Sequence, residues 1–205
     1  MAQDRKSHWD AIYAEMPEDR LSWHEDDPAV SLALAERAGI SAESAVIDLG
    51  GGRSRLAGCL LDRGLRDVTV LDLSEAALAA ARERLGPRRD SVTWIAADVA
   101  DWRPARRWDL WHDRAVFHFL TEAADRAAYR DALSRALAPG GHAIIATFAS
   151  DGPARCSGLP VRRYDPEDLA AELGPGFVPV TARRHLHHTP WGAAQSFQFS
   201  LFRKT

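Results

Sequence analysis

The stretch Val46 to Arg55, VIDLGGGRSR, sets Asp48, Gly50, Gly51, Gly52 and Ser54 directly after an apolar run. Glycine is costly to order and is used where backbone bends sharply or lies against another group. The triplet is either a bare turn or a place where main chain touches a ligand. Two more acids end apolar runs further on, Asp72 in VTVLDLS and Asp98 in WIAADV. A carboxylate there can accept hydrogen bonds from a ligand, or simply cap the next helix. The segment DRAVFHFL then supplies Asp113, Arg114, Phe117 and His118. His118 has the intrinsic pKa of a base near neutrality, and reads equally as a packed core histidine. Arg155, Arg162 and Arg163, with Tyr164 beside them, form a cationic cluster suited to a carboxylate or phosphate, or a solvated loop. Cys156 in the same loop is a single soft ligand. His185 and His187 share one strand face at i, i+2, and without an acid nearby that face reads as exposed. Trp9, Tyr13 and Trp23 can wall a small hydrophobic pocket or pack as core.

These residues need a scaffold, and the apolar patterning supplies one. Short strands are predicted over 45–49, 67–72, 92–97, 108–112 and 142–148. Helical patterns lie between them: 55–63 closed by Gly64, 74–85 capped by Ser74 and ended by Gly86-Pro87, and 121–137 stopped by Pro139-Gly140-Gly141. A helix over 166–173 and two strands near 178–186 and 193–202, flanking a turn at Thr189 to Gly192, complete the chain. Strands alternating with helices specify βαβ units and a doubly wound, mostly parallel sheet with helices on both faces. The short link between the last two strands demands an antiparallel hairpin. Residues 1–42 read as an N-terminal helical cap, with helices near 9–16 and 28–38, and 43–205 as the α/β domain. The segments 22–28 and 150–164 are candidate flaps beside a ligand crevice.

Composition narrows the partners. The chain has 205 residues, 46% hydrophobic and 27% charged, and a formal net charge of −3. That balance gives no global attraction to nucleic acid or anionic membrane, and no basic patch is interleaved with aromatics. Only two cysteines occur, Cys59 and Cys156, which fits a reducing compartment and no disulfide framework. No apolar run reaches a membrane span, and the start MAQDRKSHWD has no signal-like core. The cytoplasm is the expected location.

The spacing of the glycine run excludes one reading. A dinucleotide fingerprint beginning at Gly50 needs a third glycine where Arg55 stands. What stands here is DLGGGRS, with Asp72 one βαβ unit later, Asp98 after the third strand, and LAPGGHAIIATF before the fifth. In that order and on those elements the chain resembles the class I S-adenosylmethionine-dependent methyltransferases. The resemblance runs motif by motif over 43–149 and by topology beyond. It implies a Rossmann-like, seven-stranded sheet with an antiparallel C-terminal hairpin, and S-adenosylmethionine as cofactor. It implies that Gly50 and Gly52 let main chain lie against the methionyl and ribose parts, and that Asp48 anchors that region. Asp72, with Leu73, would take the ribose hydroxyls, and Asp98, with Val99, the adenine; Asp113 is assigned to the cofactor side too.

Methyl transfer from a sulfonium needs nucleophile and methyl carbon held in line, about 3–3.5 Å apart. It requires no metal, and a base only where the acceptor must lose a proton. The acceptor is expected at the C-terminal ends of strands one, four and five. Arg114 and His118 are the candidates for positioning it, with Trp23, Phe117, Arg163 and Tyr164 as contacts. A small-molecule acceptor is the first reading, because no recognition domain is evident. The rivals are a protein lysine methyltransferase, with the acidic HEDDP drawing a basic partner, and a non-catalytic S-adenosylmethionine-binding protein.

Overall fold

The computed structural model describes residues 2–205. Two helices come first, α1 (Ala2–Glu15) and α2 (Ala29–Arg37). The βαβ core follows: β1 (Ala45–Leu49), α3 (Leu56–Asp62), β2 (Asp67–Asp72), α4 (Glu75–Leu85), β3 (Val92–Ala96), β4 (Trp108–Arg114), α5 (Ala123–Ala136) and β5 (Leu137–Phe148). A two-stranded hairpin, β6 (Arg155–Cys156) and β7 (Leu159–Pro160), leads to α6 (Pro166–Leu173), β8 (Phe177–His188) and β9 (Ala194–Lys204).

The large sheet has seven strands in the order β3-β2-β1-β4-β5-β9-β8. The first five are mutually parallel, and β9 runs antiparallel to both β5 and β8. Alternation within each strand divides the core between two faces. Val46, Val68, Val70 and Ile144 face α2, α3 and α4, whereas Ile47, Leu71, Trp111 and Ile145 face α5 and α6. Helix α2 therefore belongs to the packing of the first face, through Val30, Leu34 and Ala35, and does not merely cover the sheet's end.

The chain winds outward from β1 in one direction and from β4 in the other. Crevices for ligands open at such a switch, beyond the carboxyl ends of the strands. The ends of β1 and β4 are adjacent there, Leu49 opposite Asp113. Helix α1 lies across this opening. Tyr13 packs with Leu21 and with Ala77 of α4, while Asp10 accepts a 2.6 Å hydrogen bond from the Ser74 hydroxyl. Arg5 pairs with Asp98 at 2.8 Å and Asp125 at 2.5 Å.

Three local features differ from the sequence reading. Strand β5 begins at Leu137, so Pro139 to Gly141 lie within it as an irregularity where the register against β4 shifts. The loop 150–164 contains the β6–β7 hairpin. After β4, Phe117–Phe119 form a turn of 3-10 helix, built on Asp113.

Candidate functional site

A cleft of about 110 Å³, open on one side, occupies the crevice between α1 and the sheet's carboxyl edge. One end is lined by Leu71, Asp72, Leu73, Ala97, Asp98 and Val99, the other by Arg114, Phe148, Cys156, Gln195 and Phe197. Trp9, Tyr13, Trp23, Gly50, Val116 and Phe119 wall the middle. Trp9 is the hub of the aromatic wall, with ring centroids 5.6 Å from Trp23 and 5.0 Å from Phe119. A second cavity, of about 40 Å³, shares Trp23, Gly50 and Arg114 with the first and adds Asp48, Ser54 and His112.

The glycine triplet is compelled first by the protein's own packing. Gly50 has φ +61, and a Cβ there would strike the Val116 side chain. A Cβ on Gly52 would lie 2.6 Å from the Ala77 Cβ and 2.8 Å from Asp72 Oδ2. The bend thereby carries the Gly52 N–H to Asp72 Oδ2 at 3.0 Å, while Ser74 N–H donates to Oδ1 at 2.8 Å. Burial drives the Asp72 carboxyl up to about 6, partly offset by these backbone donors. Each carboxylate oxygen still has a lone pair to offer the cleft.

Asp48 is buried at the end of β1. Its Oδ1 lies 2.6 Å from His112 Nδ1, and His112 Nε2 lies 2.8 Å from the Ser31 hydroxyl. Among the described residues, Asp48 Oδ2 is buried without a hydrogen-bond partner. Asp98 is engaged on both oxygens, by Arg5 and by the Ala100 N–H at 3.0 Å, with Val99 beside it in the cleft wall.

Several expected site residues are spent on structure. Asp113 is fully buried, accepts from the Tyr129 hydroxyl at 2.6 Å and from Val116 N–H at 2.8 Å, and is raised to about 6 by burial. Phe117 and Tyr164 pack with Tyr129 in the second face of the core. His118 is fully buried, outside the cleft lining, and takes the Phe148 N–H on Nδ1 at 3.3 Å. Burial, with the Arg114 charge, depresses its pKa to about 3, so it stays neutral. The arginine cluster also turns away: Arg155 binds the Gly158 carbonyl, Arg162 the Tyr164 hydroxyl and exposed Arg163 the Gly152 carbonyl.

Arg114 is different. Its residue lines both cavities, its guanidinium lies 5.1 Å over the Phe197 ring, and only Nη1 is hydrogen-bonded, to the Trp23 carbonyl at 2.9 Å. Nearby, Glu25 faces inward to Arg114 Nε at 3.5 Å, and Asp26 pairs with Arg55 at 3.2 Å, so HEDDP is not a free acidic patch. The strand β8 histidines are also not a plain exposed face. His187 is buried against the Ser22 carbonyl, and Glu25, His185 and His187 offer ligand atoms within 4.8 Å of one another. Ala115, lining the cleft between Arg114 and Val116, has φ +71, strained for a residue with a Cβ. Nothing in the local sequence marks Ala115 or Gln195 as cleft residues.

The sheet order, the bend after β1 and a cleft at the carboxyl edge lined by Asp72 and Asp98 define a Rossmann-like fold. Residues 46–141 match the family model described as a methyltransferase domain. Over 135 residues the chain is 36% identical to trans-aconitate 2-methyltransferase of Acidovorax ebreus (strain TPSY), covering 65% of this chain and 47% of that protein. Over 128 residues it is 31% identical to thiocyanate methyltransferase 1 of Arabidopsis thaliana, covering 61% and 55%. The chain thus spans about half the length of the curated relatives it matches. The structure of Burkholderia thailandensis 1,6-didemethyltoxoflavin-N1-methyltransferase, with bound 1,6-didemethyltoxoflavin and S-adenosylhomocysteine, is similar at TM-score 0.75 and 25% identity, covering 100% of this chain and 88% of that one. The N-methyltransferase NodS from Bradyrhizobium japonicum WM9 shares the fold, with TM-score 0.70 at 20% identity over 96% and 98% of the two chains. The chain has the fold of the class I S-adenosylmethionine-dependent methyltransferases and is similar in sequence to a methyltransferase domain over residues 46–141.

The state of Asp72 gives the cleft a pH dependence. Only the ionised carboxylate can keep both backbone donors and accept further hydroxyls on each oxygen. Its folded pKa near 6 means that a proton competes with such a ligand below that pH. Affinity for S-adenosylhomocysteine is expected to be flat above about pH 6 and to fall, approaching about tenfold per unit, below it. Titration calorimetry between pH 5 and pH 8 checks this, and Asp72→Asn should remove the slope.

Proposed function

We propose that this chain transfers the methyl group of S-adenosylmethionine to a small-molecule acceptor by in-line displacement. The observation that carries the reading is Asp72, a buried carboxylate fixed by the Gly52 and Ser74 amides, which lines the cleft at the sheet's carboxyl edge. Asp72 would hold the ribose hydroxyls, with Leu71, Leu73, Ala97 and Val99 as apolar walls for the base. Asp48, whose Oδ2 has no hydrogen-bond partner among the described residues, would take the ammonium directly or through water. The bound sulfonium supplies an electrophilic methyl group that needs no metal. The chain's task is orientation and exclusion of water, which α1 and the Trp9, Tyr13 and Trp23 wall perform. Tyr13 stays protonated, because burial beside Asp72 lifts its pKa well above the usual value. With His118 also out of reach, the arrangement suits an acceptor that attacks without prior loss of a proton to the enzyme.

The relatives named for trans-aconitate and thiocyanate act on small anions, which supports a small-molecule acceptor here. The test is titration with S-adenosylmethionine and S-adenosylhomocysteine, followed by assay with radiolabelled methyl donor against a panel including trans-aconitate. Micromolar binding with label in a small product is expected. No binding at millimolar ligand would overturn the reading. Label in protein would instead support the lysine methyltransferase, and binding without turnover the non-catalytic binder.

A further inference from the structure

The far end of the cleft holds a cation whose recognition edge is unused. Arg114 spends Nη1 on the Trp23 carbonyl, while among the described residues Nε and Nη2 are buried without a hydrogen bond. Those two N–H groups lie on the same side of the guanidinium and form the pair that grips a carboxylate bidentately. Leaving them unpaired in a buried setting is costly, and such an omission marks a place for a missing partner. Phe197 lies beneath the guanidinium plane and fixes it. The nearest anion, Glu25 Oε2, is 3.5 Å from Nε, an ion pair without a hydrogen bond. Glu25 sits on the irregular segment between Leu21 and α2. The residues around this end are Phe148, Phe197, Trp23 and the thiol of Cys156, with Gln195 Oε1 also unpartnered.

We infer that the acceptor is a carboxylic acid with a flat apolar body, its carboxylate displacing Glu25 from the Nε–Nη2 edge of Arg114 and its body lying between Trp23, Phe148 and Phe197. This rests on the methyltransferase reading only for the word acceptor; the anion site stands on the geometry of Arg114. It also moves the anion-binding role away from the Arg155, Arg162 and Arg163 loop, whose guanidiniums bind the loop's own oxygens. A cation on Glu25, such as an acceptor ammonium, is the competing occupant.

The experiment uses the full chain, with and without saturating S-adenosylhomocysteine. Cinnamate and benzoate, and the neutral amides of each, are titrated calorimetrically. Carboxylates are expected to bind about tenfold or more tightly than their amides, the scale of a charge-assisted bidentate pair. Arg114→Lys keeps the charge but lacks the edge, and should erase about tenfold of that preference while leaving nucleoside affinity intact. Glu25→Gln removes the competitor and should tighten carboxylate binding about threefold or more, the opposite sign. Because Glu25 lies on a loop, that variant decides the matter even where the lysine variant folds poorly. Equal binding of acids and amides, or no saturable binding of either acid, overturns the proposal. Weaker carboxylate binding in Glu25→Gln, together with loss of cinnamylamine binding, overturns it and assigns the pocket to ammonium. Failure of the nucleoside titration alone sinks the methyltransferase reading, and leaves the ligand-free carboxylate titrations to judge the anion site.

Discussion

Replacing Asp72 by alanine is expected to weaken S-adenosylhomocysteine binding by about 1.5–3 kcal/mol, or about 10- to 150-fold, the scale of lost hydrogen bonds to a charged group. The same carboxylate holds two buried amides, Gly52 N–H and Ser74 N–H, so its loss also loosens the bend and the first turn of α4. Two readouts separate these effects. Urea denaturation of the ligand-free chain reports the structural part. Calorimetry at a temperature where the variant remains folded reports the binding part. Asp72→Asn keeps the shape and one acceptor oxygen, but its amide group opposes one of the two backbone donors. Its affinity should therefore fall between the parent and the alanine variant. A stability loss with unchanged affinity would confine Asp72 to the role of clamping the loop to the helix.

That double duty explains how far the site was legible in sequence. Strand β2 ends at Asp72 as its alternation predicts, and Ser74 caps α4 by accepting the Ala77 N–H at 3.3 Å. Both follow from local rules: β-branched alternation fixes a strand, and a hydroxyl before a helical run fixes its start. The doubly wound, mostly parallel sheet and its antiparallel hairpin also follow from patterning, whereas for Trp9, Tyr13 and Trp23 patterning leaves cleft wall and core packing open. What patterning does not specify is the orientation of a side chain in a turn. Arg114 ends β4 and His118 lies four residues on in the 3-10 turn, and burial sends them to different fates. Arg114 lines the cleft, while His118 is turned under it to receive a backbone amide. Long-range partners are equally invisible. Arg5 reaches Asp98 across 93 positions and Ser31 reaches His112 across 81. No local spacing encodes either pairing, because each arises from where helices α1 and α2 settle on the finished sheet.

The second of those pairings carries the largest expected stability effect. Ser31, His112 and Asp48 form a buried chain tying α2 to β4 and β4 to β1, directly beneath the glycine bend. Asp48 can only accept, so His112 Nδ1 carries a proton and is the single hydrogen-bonded partner among the described residues for that carboxylate's Oδ1. His112→Leu fills the space with apolar volume and leaves an uncompensated carboxylate in the core, 1% exposed. Loss of one partner from a buried pair costs about 3–5 kcal/mol. His112→Leu should therefore lower the unfolding free energy by about that amount in urea denaturation, a large share of the roughly 5–15 kcal/mol typical of a domain. Ser31→Ala removes only a neutral hydroxyl and should cost about 0.5–1.5 kcal/mol. In Asp48→Ala/His112→Leu the stranded charge is gone, so the double variant should be less destabilised than the sum of the single changes, by about 1–3 kcal/mol of coupling. Additive effects would show that Asp48 does not depend on His112.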